Sequence, residues 1–338
     1  MALDFRSKHL QTAMLIKPAE IKRYGDFQVD WASLLPSIRK GRYTVESTAS
    51  LSIHGDAPKS FLRIQEYIHG RSGRHPRRWI GYIAKVGSKR YPVESITEHL
   101  LTRIGKALGV RVADSHLRIV AGQVRFLSRY FLRRRQESLV HGLEIFRRYL
   151  DDDMVNEIAA KKQEHEFYTF ETVYEALSEI FPDHVDGIMP DLVEMLAFDA
   201  LVGNNDRHPL NWGVIAPIAN LGRIVFSPVF DTARGLFWNL DDSQLAPYTE
   251  SIGRLRAYVD RSRPQIGLND HKSPNHFDLI AHIYSNHPTY RGNLECGGPG
   301  ALDSFWVKLR CVVFTETSGP RHPLRCRAAA KPPVRLVC

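Results

Sequence analysis

The spacing of apolar residues changes near Phe131, and the change divides the 338-residue chain into a strand-rich part and a helix-rich part. Two β-prone stretches, 43–53 and 61–68, flank His54-Gly55-Asp56-Ala57-Pro58, whose residues suit a turn, so a hairpin is predicted. Residues 79–86 read as a further strand. Over 95–108 the apolar positions Ile96, Leu100, Leu101, Ile104 and Leu108 fall on one helical stripe, which Gly109 ends. Strands over 112–121 and 124–131 meet at a turn with Gly122. Residues 46–131 are therefore expected to form a small β-rich lobe with one helix.

Beyond Phe131 the spacing turns helical. Asp151-Asp152-Asp153 reads as a helix start, where carboxylates accept from unpaired amides and meet the positive end of the helix dipole. Helices are predicted around 155–163 and 168–180, and Met189-Pro190-Asp191 precedes an apolar helix through Leu192, Met195, Leu196, Ala200 and Leu201. A second hairpin is expected from 212–217 and 223–226, a loop-rich stretch over 233–275, and helices over 276–286 and 300–314. The class is α+β, with 132–316 as a larger helical lobe. Residues 1–45, interrupted by Pro18 and Pro36, read as an amino-terminal attachment. Residues 317–338, with Pro320, Pro323, Pro332 and Pro333 among Arg and Ala, read as a disordered tail.

Composition narrows the class little: 43% hydrophobic and 25% charged residues describe an ordinary globular protein. No apolar run has the length of a membrane span and the amino terminus lacks an apolar secretory core, so a cytoplasmic protein without a membrane partner is expected. Cys296, Cys311, Cys326 and Cys338 show neither CxxC spacing nor a histidine pattern for zinc, and free thiols are expected. The net charge of +9 favours acidic partners such as nucleotides, RNA or an acidic protein surface. The basic clusters at 71–78 and 133–135 lie in no recognisable nucleic-acid module, so direct DNA binding is not expected.

The candidate chemistry centres on residues 201–212. Asp206 and Asn211 are spaced D-x-x-x-x-N, as in a kinase catalytic loop, and Asp231 follows a short strand pair. Magnesium prefers oxygen ligands from a few carboxylates and carboxamides, which Asp231 and Asn211 supply, while Asp206 suits orienting a substrate hydroxyl and accepting its proton. The bland alternative is a turn in which Asn204, Asn205 and Asp206 cap backbone groups. Against it stands the order of the chain: Lys85 closes an apolar strand as Ile83-Ala84-Lys85, and Glu98 follows in the next helix as its ion-pair partner. Asp199, a carboxylate within an apolar helix, needs a partner in the loop or Arg207, and Arg207 and His208 read as buttresses of the loop. The amides of Gly70 to Arg74, with Ser72, Gly73 and Arg74 singled out, are candidates to cradle phosphate oxygens.

Residues 198–212, the stretch Ser227-Pro228-Val229-Phe230-Asp231, Tyr82-Ile83-Ala84-Lys85, Glu98 and the connecting segment Phe126-Leu127-Ser128-Arg129-Tyr130-Phe131 together resemble the HipA-like serine/threonine kinases of bacterial toxin–antitoxin systems. The resemblance covers roughly residues 65–285. It implies a two-lobed protein-kinase-like fold, ATP and Mg²⁺ as cofactors, Ser128 among the nucleotide-binding residues, and phosphorylation of Ser or Thr on a protein target. In that family, targets include aminoacyl-tRNA synthetases, a HipB-like DNA-binding antitoxin is a partner, and a phosphate-loop serine is autophosphorylated, a role that falls to Ser72 here. Two alternatives stay open: a nucleotide-binding pseudokinase, and a phosphoinositide-type lipid kinase, whose Asp-Arg-His-x-x-Asn pattern Asp206 to Asn211 also satisfies.

Overall fold

The amino-terminal strands assemble into a six-stranded sheet in the order β1-β5-β6-β4-β3-β2. They are β1 (Ser37–Ile38), β2 (Tyr43–Glu46), β3 (Lys59–Ile64), β4 (Ile80–Lys85), β5 (Ser115–Val120) and β6 (Gln123–Arg129). The computed structural model describes residues 35–46, 59–66, 75–85, 94–133, 136–219, 222–240, 242–271 and 273–295. Neighbouring strands are antiparallel except β1, which runs parallel to β5. β1 and β2 thus extend the sheet into residues that the sequence reading had set apart as an attachment.

Strand alternation sends apolar side chains to both faces, which is why segments such as Phe61-Leu62-Arg63-Ile64 read as nearly continuous apolar runs. On one face Leu117, Ile119, Val124 and Phe126 pack with Ile96 of helix α1 (Glu94–Ala107). On the other, Leu62, Ile64, Tyr82, Ala84, Val120 and Leu127 pack with Ile38, Tyr43 and Ile80. The β5–β6 hairpin turns through Ala121 and Gly122, whose φ values of 53° and 74° are both positive. That two-residue geometry matches the right-handed twist of the flanking strands.

The second part is built around α6 (Val185–Val202), which is buried along most of its length. The other helices of this part are α2 (Gly142–Leu150), α3 (Asp152–Lys161), α4 (Glu164–Phe167), α5 (Phe170–Ile180), α7 (Asp242–Glu250), α8 (Ile252–Asp260), α9 (His276–Asn286) and α10 (Arg291–Glu295), of which α5, α9 and α10 pack directly on α6. A small antiparallel sheet, β7 (Glu137–His141), β8 (Gly213–Pro217) and β9 (Val225–Phe226), completes it. Asp151 caps α3 by accepting from the Met154 amide at 2.8 Å, as its sequence position implies. α9 begins with a capping box formed by Asn275 and Asp278. α6 and α1 approach closely at Gly105, where a methyl group would come within 2.6 Å of Val112 Cγ1 and 3.4 Å of the Phe198 ring.

Two stretches differ from the sequence reading. α6 begins at Val185, so Pro190 lies inside it; the buried Val185, Ile188 and Met189 offset the hydrogen bond that proline cannot make. The region 233–275, read as loop-rich, contains α7 and α8. α8 is only nine residues long, and although Ile252, Leu255, Tyr258 and Val259 fall at helical spacing none of its residues is fully buried; ring contacts among Phe237, Tyr248 and Tyr258 join the two helices. The expected turn at 54–58, the helix at 300–314, the tail at 317–338 and the cysteines lie outside the described residues. No helix among the described residues is long and apolar enough to cross a membrane.

Candidate active site

α6 ends at Gly203, whose φ of 63° lets its amide bond back to the Asp199 carbonyl. The chain then folds back over the helix end as the loop 204–211. In the last turn of α6, the Asp199 carboxylate accepts from Arg207 Nε at 2.7 Å and Nη2 at 2.8 Å, and from Asn204 Nδ2 at 2.8 Å. Such a two-point arginine–carboxylate contact fixes orientation as well as charge. Asp199 and Arg207 are each 1% exposed. Arg207 Nη1 donates onward to the carbonyls of Asn211 at 2.8 Å and Phe230 at 2.7 Å. Burial alone would favour loss of the guanidinium charge, but Asp199 outweighs it and Arg207 stays charged.

The remaining loop groups brace one another. Asn211 Nδ2 donates to the Asp206 carbonyl at 2.8 Å, the Asn211 amide donates to the His208 carbonyl at 2.8 Å, and the Leu210 amide donates to His208 Nδ1 at 3.3 Å. The Asp206 carboxylate, by contrast, accepts from Arg234 Nη1 at 3.2 Å and faces a cavity. Burial raises its proton affinity above that of a free aspartate, although Arg234 and His208 pull the other way.

The second cluster sits on the sheet. Lys85 Nζ, at the end of β4, donates to Glu98 Oε1 of α1 at 2.7 Å and to Asp231 Oδ1 at 2.8 Å. Lys59 Nζ of β3 takes the other Asp231 oxygen at 3.1 Å. Lys59 and Lys85 are direct partners in the β3–β4 ladder, a placement that like charges would oppose without the carboxylates beside them. Burial would raise the Asp231 carboxyl, but Lys85 and Lys59 outweigh it and hold it well below the usual carboxylate range. Burial likewise works against the Lys85 ammonium, and Asp231 and Glu98 reverse the balance. The backbone of Asp231 has a φ of 54°, a conformation that Asp tolerates better than most residues. Its segment is anchored by Ala113 N donating to Val229 O at 2.9 Å and Val229 N donating to Arg111 O at 2.8 Å.

Every sequence-nominated residue of the loop, of β4 and of α1 therefore falls into one of two clusters, and Arg207 links them through Asn211 and Phe230. Ser128 is buried in β6 opposite Ile83, which places it on the Lys85 side of the sheet. Ser72, Gly73 and Arg74 lie outside the described residues. Sequence reading missed Lys59. The available signal was a cationic residue opening an apolar strand, but its partner across the ladder is set by sheet register rather than by local spacing.

The oxygen donors are of the type a hard cation takes. Asn211 keeps its side-chain oxygen free of the Asp206 bond, which uses Nδ2, and Asp231 offers a carboxylate whose two oxygens here accept from Lys85 and Lys59, so a bound cation would share or displace those lysines. Among the described residues no group of three or more His, Cys, Asp or Glu converges. A magnesium ion here would therefore complete its shell with phosphate and water, its usual habit.

Burial pushes the Glu98 carboxyl up to about 7 against the pull of Lys85. Its folded value thus exceeds its unfolded one. Such a group contributes stability that is complete below the unfolded value and is lost as pH climbs through the folded value. Denaturant unfolding at about pH 5 and about pH 8 is expected to show a loss of stability toward the higher pH that Glu98→Gln diminishes. An equal loss in the variant would place the pH sensitivity elsewhere.

Comparison with known proteins adds ancestry to this geometry. The profile of the HipA-like C-terminal domain matches residues 51–281. A Haemophilus influenzae (strain Rd) protein named "Putative kinase" is 24% identical over 207 residues, a match covering 58% of this chain and 57% of that protein. The chain thus spans a little over half the length of this curated relative. Among solved structures, the Helicobacter pylori proinflammatory kinase CtkA superposes with a TM-score of 0.56 at 17% identity, covering 83% of this chain and 98% of that one. At that identity the likeness concerns the fold, which is two-lobed and kinase-like. A Shewanella oneidensis MR-1 HipA, solved with HipB and operator DNA, gives a TM-score of 0.42 at 13% identity over 78% of this chain and 60% of that one, too low to argue from. The profile match extends over more than half of the sequence, and the chain belongs to the HipA-like C-terminal domain family, a family of kinases.

Proposed function

We propose that the protein transfers the γ-phosphoryl group of Mg-ATP to a serine or threonine hydroxyl of a protein target in the cytoplasm. The observation that carries this reading is the convergence of Lys85, Glu98 and Asp231 on one side of the cleft with Asp206 and Asn211 on the other, braced by Arg207. Bound Mg-ATP supplies the phosphoryl group and a leaving ADP. Lys85, oriented by Glu98, presents its ammonium to the phosphate oxygens. Asn211 and Asp231 would hold the metal, and Asp206 would orient the acceptor hydroxyl and take its proton. The raised proton affinity of Asp206 makes it a better base than a free aspartate.

The family resemblance supplies the finer expectations: an aminoacyl-tRNA synthetase as target, a HipB-like antitoxin as partner, and Ser72 as the autophosphorylation site. Purified protein with labelled Mg-ATP is expected to label itself or a protein in a cell lysate, and Asp206→Ala to label neither. Phosphoproteomics of cells expressing the two forms would name the target. Equal labelling by both forms sinks the reading. Nucleotide binding without any transfer by the wild type would make the chain a pseudokinase.

A further inference from the structure

Asp206 is the shared wall between the metal-ligand side of the cleft and a cavity of about 480 Å³ that none of Lys85, Glu98, Asn211 or Asp231 lines. The cavity wall is formed by Arg234, Trp238, Leu240, Tyr248, Tyr258 and Arg261. In-line displacement requires the acceptor oxygen to approach from the side opposite the leaving group. A void that meets Asp206 while avoiding every nominated phosphate and metal contact offers an acceptor an approach to Asp206 that those contacts do not obstruct.

Its chemistry is mixed. Trp238, Leu240 and the two tyrosines make an aromatic and apolar wall, and Tyr258 is fixed by donating its hydroxyl proton to the Leu236 carbonyl at 2.7 Å. Apart from Asp206, the charged residues of the lining, Arg234 and Arg261, are cationic. Arg234 lies over the Trp238 ring at 5.4 Å from its centroid while donating to Asp206. Tyr258 of α8 and Arg261 just after it line the cavity, and Arg254, four residues before Tyr258, lies one turn further along the same helix face, outside the lining. Residues 252–263 hold Arg254, Arg256, Arg261 and Arg263 against the single acid Asp260. Arg261 and Arg263 spend side-chain donors on backbone carbonyls rather than on carboxylates. Arg254, Arg256 and Arg261 are exposed, so the cationic side chains are presented to solvent while Tyr258 is partly buried.

We propose that this cavity and the arginine face of α8 form the acceptor site, and that the acceptor is an acidic polypeptide segment. Its hydroxyl reaches Asp206, a neighbouring apolar or aromatic side chain seats against Trp238, Leu240 and Tyr248, and Asp or Glu residues beside it pair with Arg254 and Arg261. A polypeptide fits better than an anionic membrane because the wall offers a pocket of side-chain size next to the charges. The assignment rests on the kinase reading for the role of Asp206; the charge selection stands on the rim alone.

The test uses the full chain and fluorescein-labelled serine peptides that carry either Asp/Glu or Lys/Arg flanks around a central aromatic residue. The acidic peptide is expected to bind at least about tenfold more tightly, which corresponds to about 1.4 kcal/mol, and binding should weaken with salt. The exposed double substitution Arg254→Glu/Arg261→Glu should reverse that order, and Arg254→Gln/Arg261→Gln should merely flatten it, with melting curves confirming that both fold. Equal binding of the two peptides by the wild type, or an unchanged preference in the charge-reversed variant, overturns the proposal. So does tight binding to anionic lipid vesicles with none to the acidic peptide. Selective peptide binding without phosphoryl transfer would sink the kinase reading and uphold the docking surface. Transfer to serine peptides irrespective of flanking charge would do the opposite.

Discussion

Arg207→Ala is expected to lower the free energy of unfolding by about 3–5 kcal/mol, the cost of leaving a buried charge without its partner. The side chain serves Asp199 at two points and two backbone carbonyls besides, and both members of the pair are 1% exposed. Without it, Asp199 keeps Asn204, and the carbonyls of Asn211 and Phe230 lose a charged donor. Arg207→Lys retains the charge but not the fork of donors, so it should recover only part of the loss. Replacing the pair together, Asp199→Leu with Arg207→Met, removes the uncompensated charge and should be less damaging than Arg207→Ala alone. Urea unfolding measures all three. A loss below about 1 kcal/mol for Arg207→Ala would mean that water reaches the Asp199 carboxylate and that the pair contributes no more than an exposed one.

On the proposed phosphoryl-transfer reading, Asp231→Ala carries the largest expected catalytic effect, a fall in transfer of at least about 10²–10³-fold, the scale seen when one preorganised charge-stabilising group is removed. A second readout separates loss of a metal ligand from loss of the fold. Asp231 accepts from both Lys85 and Lys59, so its removal takes one carboxylate away from each ammonium and leaves the pair more strongly cationic toward phosphate oxygens, while Lys85 keeps Glu98. Thermal stabilisation by ATP without metal should therefore be kept or increased in the variant, while the further stabilisation that magnesium adds should disappear. Retention of the magnesium increment would remove Asp231 from the metal site. A parallel loss of metal-free ATP binding would show that the substitution had disordered the lysines instead.

The parts of this site that could be read from the sequence were those whose partners lie close along the chain or obey an inescapable physical demand. Asp206 and Asn211 belong to one six-residue turn, and a carboxylate such as Asp199 inside an apolar helix needs a cation, which Arg207 supplies eight residues later. Lys85 with Glu98 was legible because an apolar strand leads into an amphipathic helix. Lys59 was not, since its place opposite Lys85 depends on the β3–β4 register. The cavity was equally hidden, because its helices α7 and α8 are nine residues each, α7 carries an internal Pro247, and the two meet through ring contacts among Phe237, Tyr248 and Tyr258 that no local spacing announces. Pro190 misled in the opposite direction: a residue that usually marks a helix boundary sits inside α6, where burial on both sides of it outweighs one missing hydrogen bond.

The segment leading to Asp231 behaves mechanically as a rivet. Val229 is bonded to the strand lead-in at Arg111 and Ala113, and the very next carbonyl, that of Phe230, is bonded to Arg207 beneath the loop. Two successive residues are thus fastened to opposite sides of the cleft, and only the torsions between them can absorb relative motion. Breathing of the cleft is accordingly confined to small amplitudes at this point, and wide opening requires Arg207 to release Phe230. The amide of Val229 should then rank among the slowest-exchanging outside the helices, and Arg207→Lys should speed its exchange more than it speeds that of the β5–β6 hairpin.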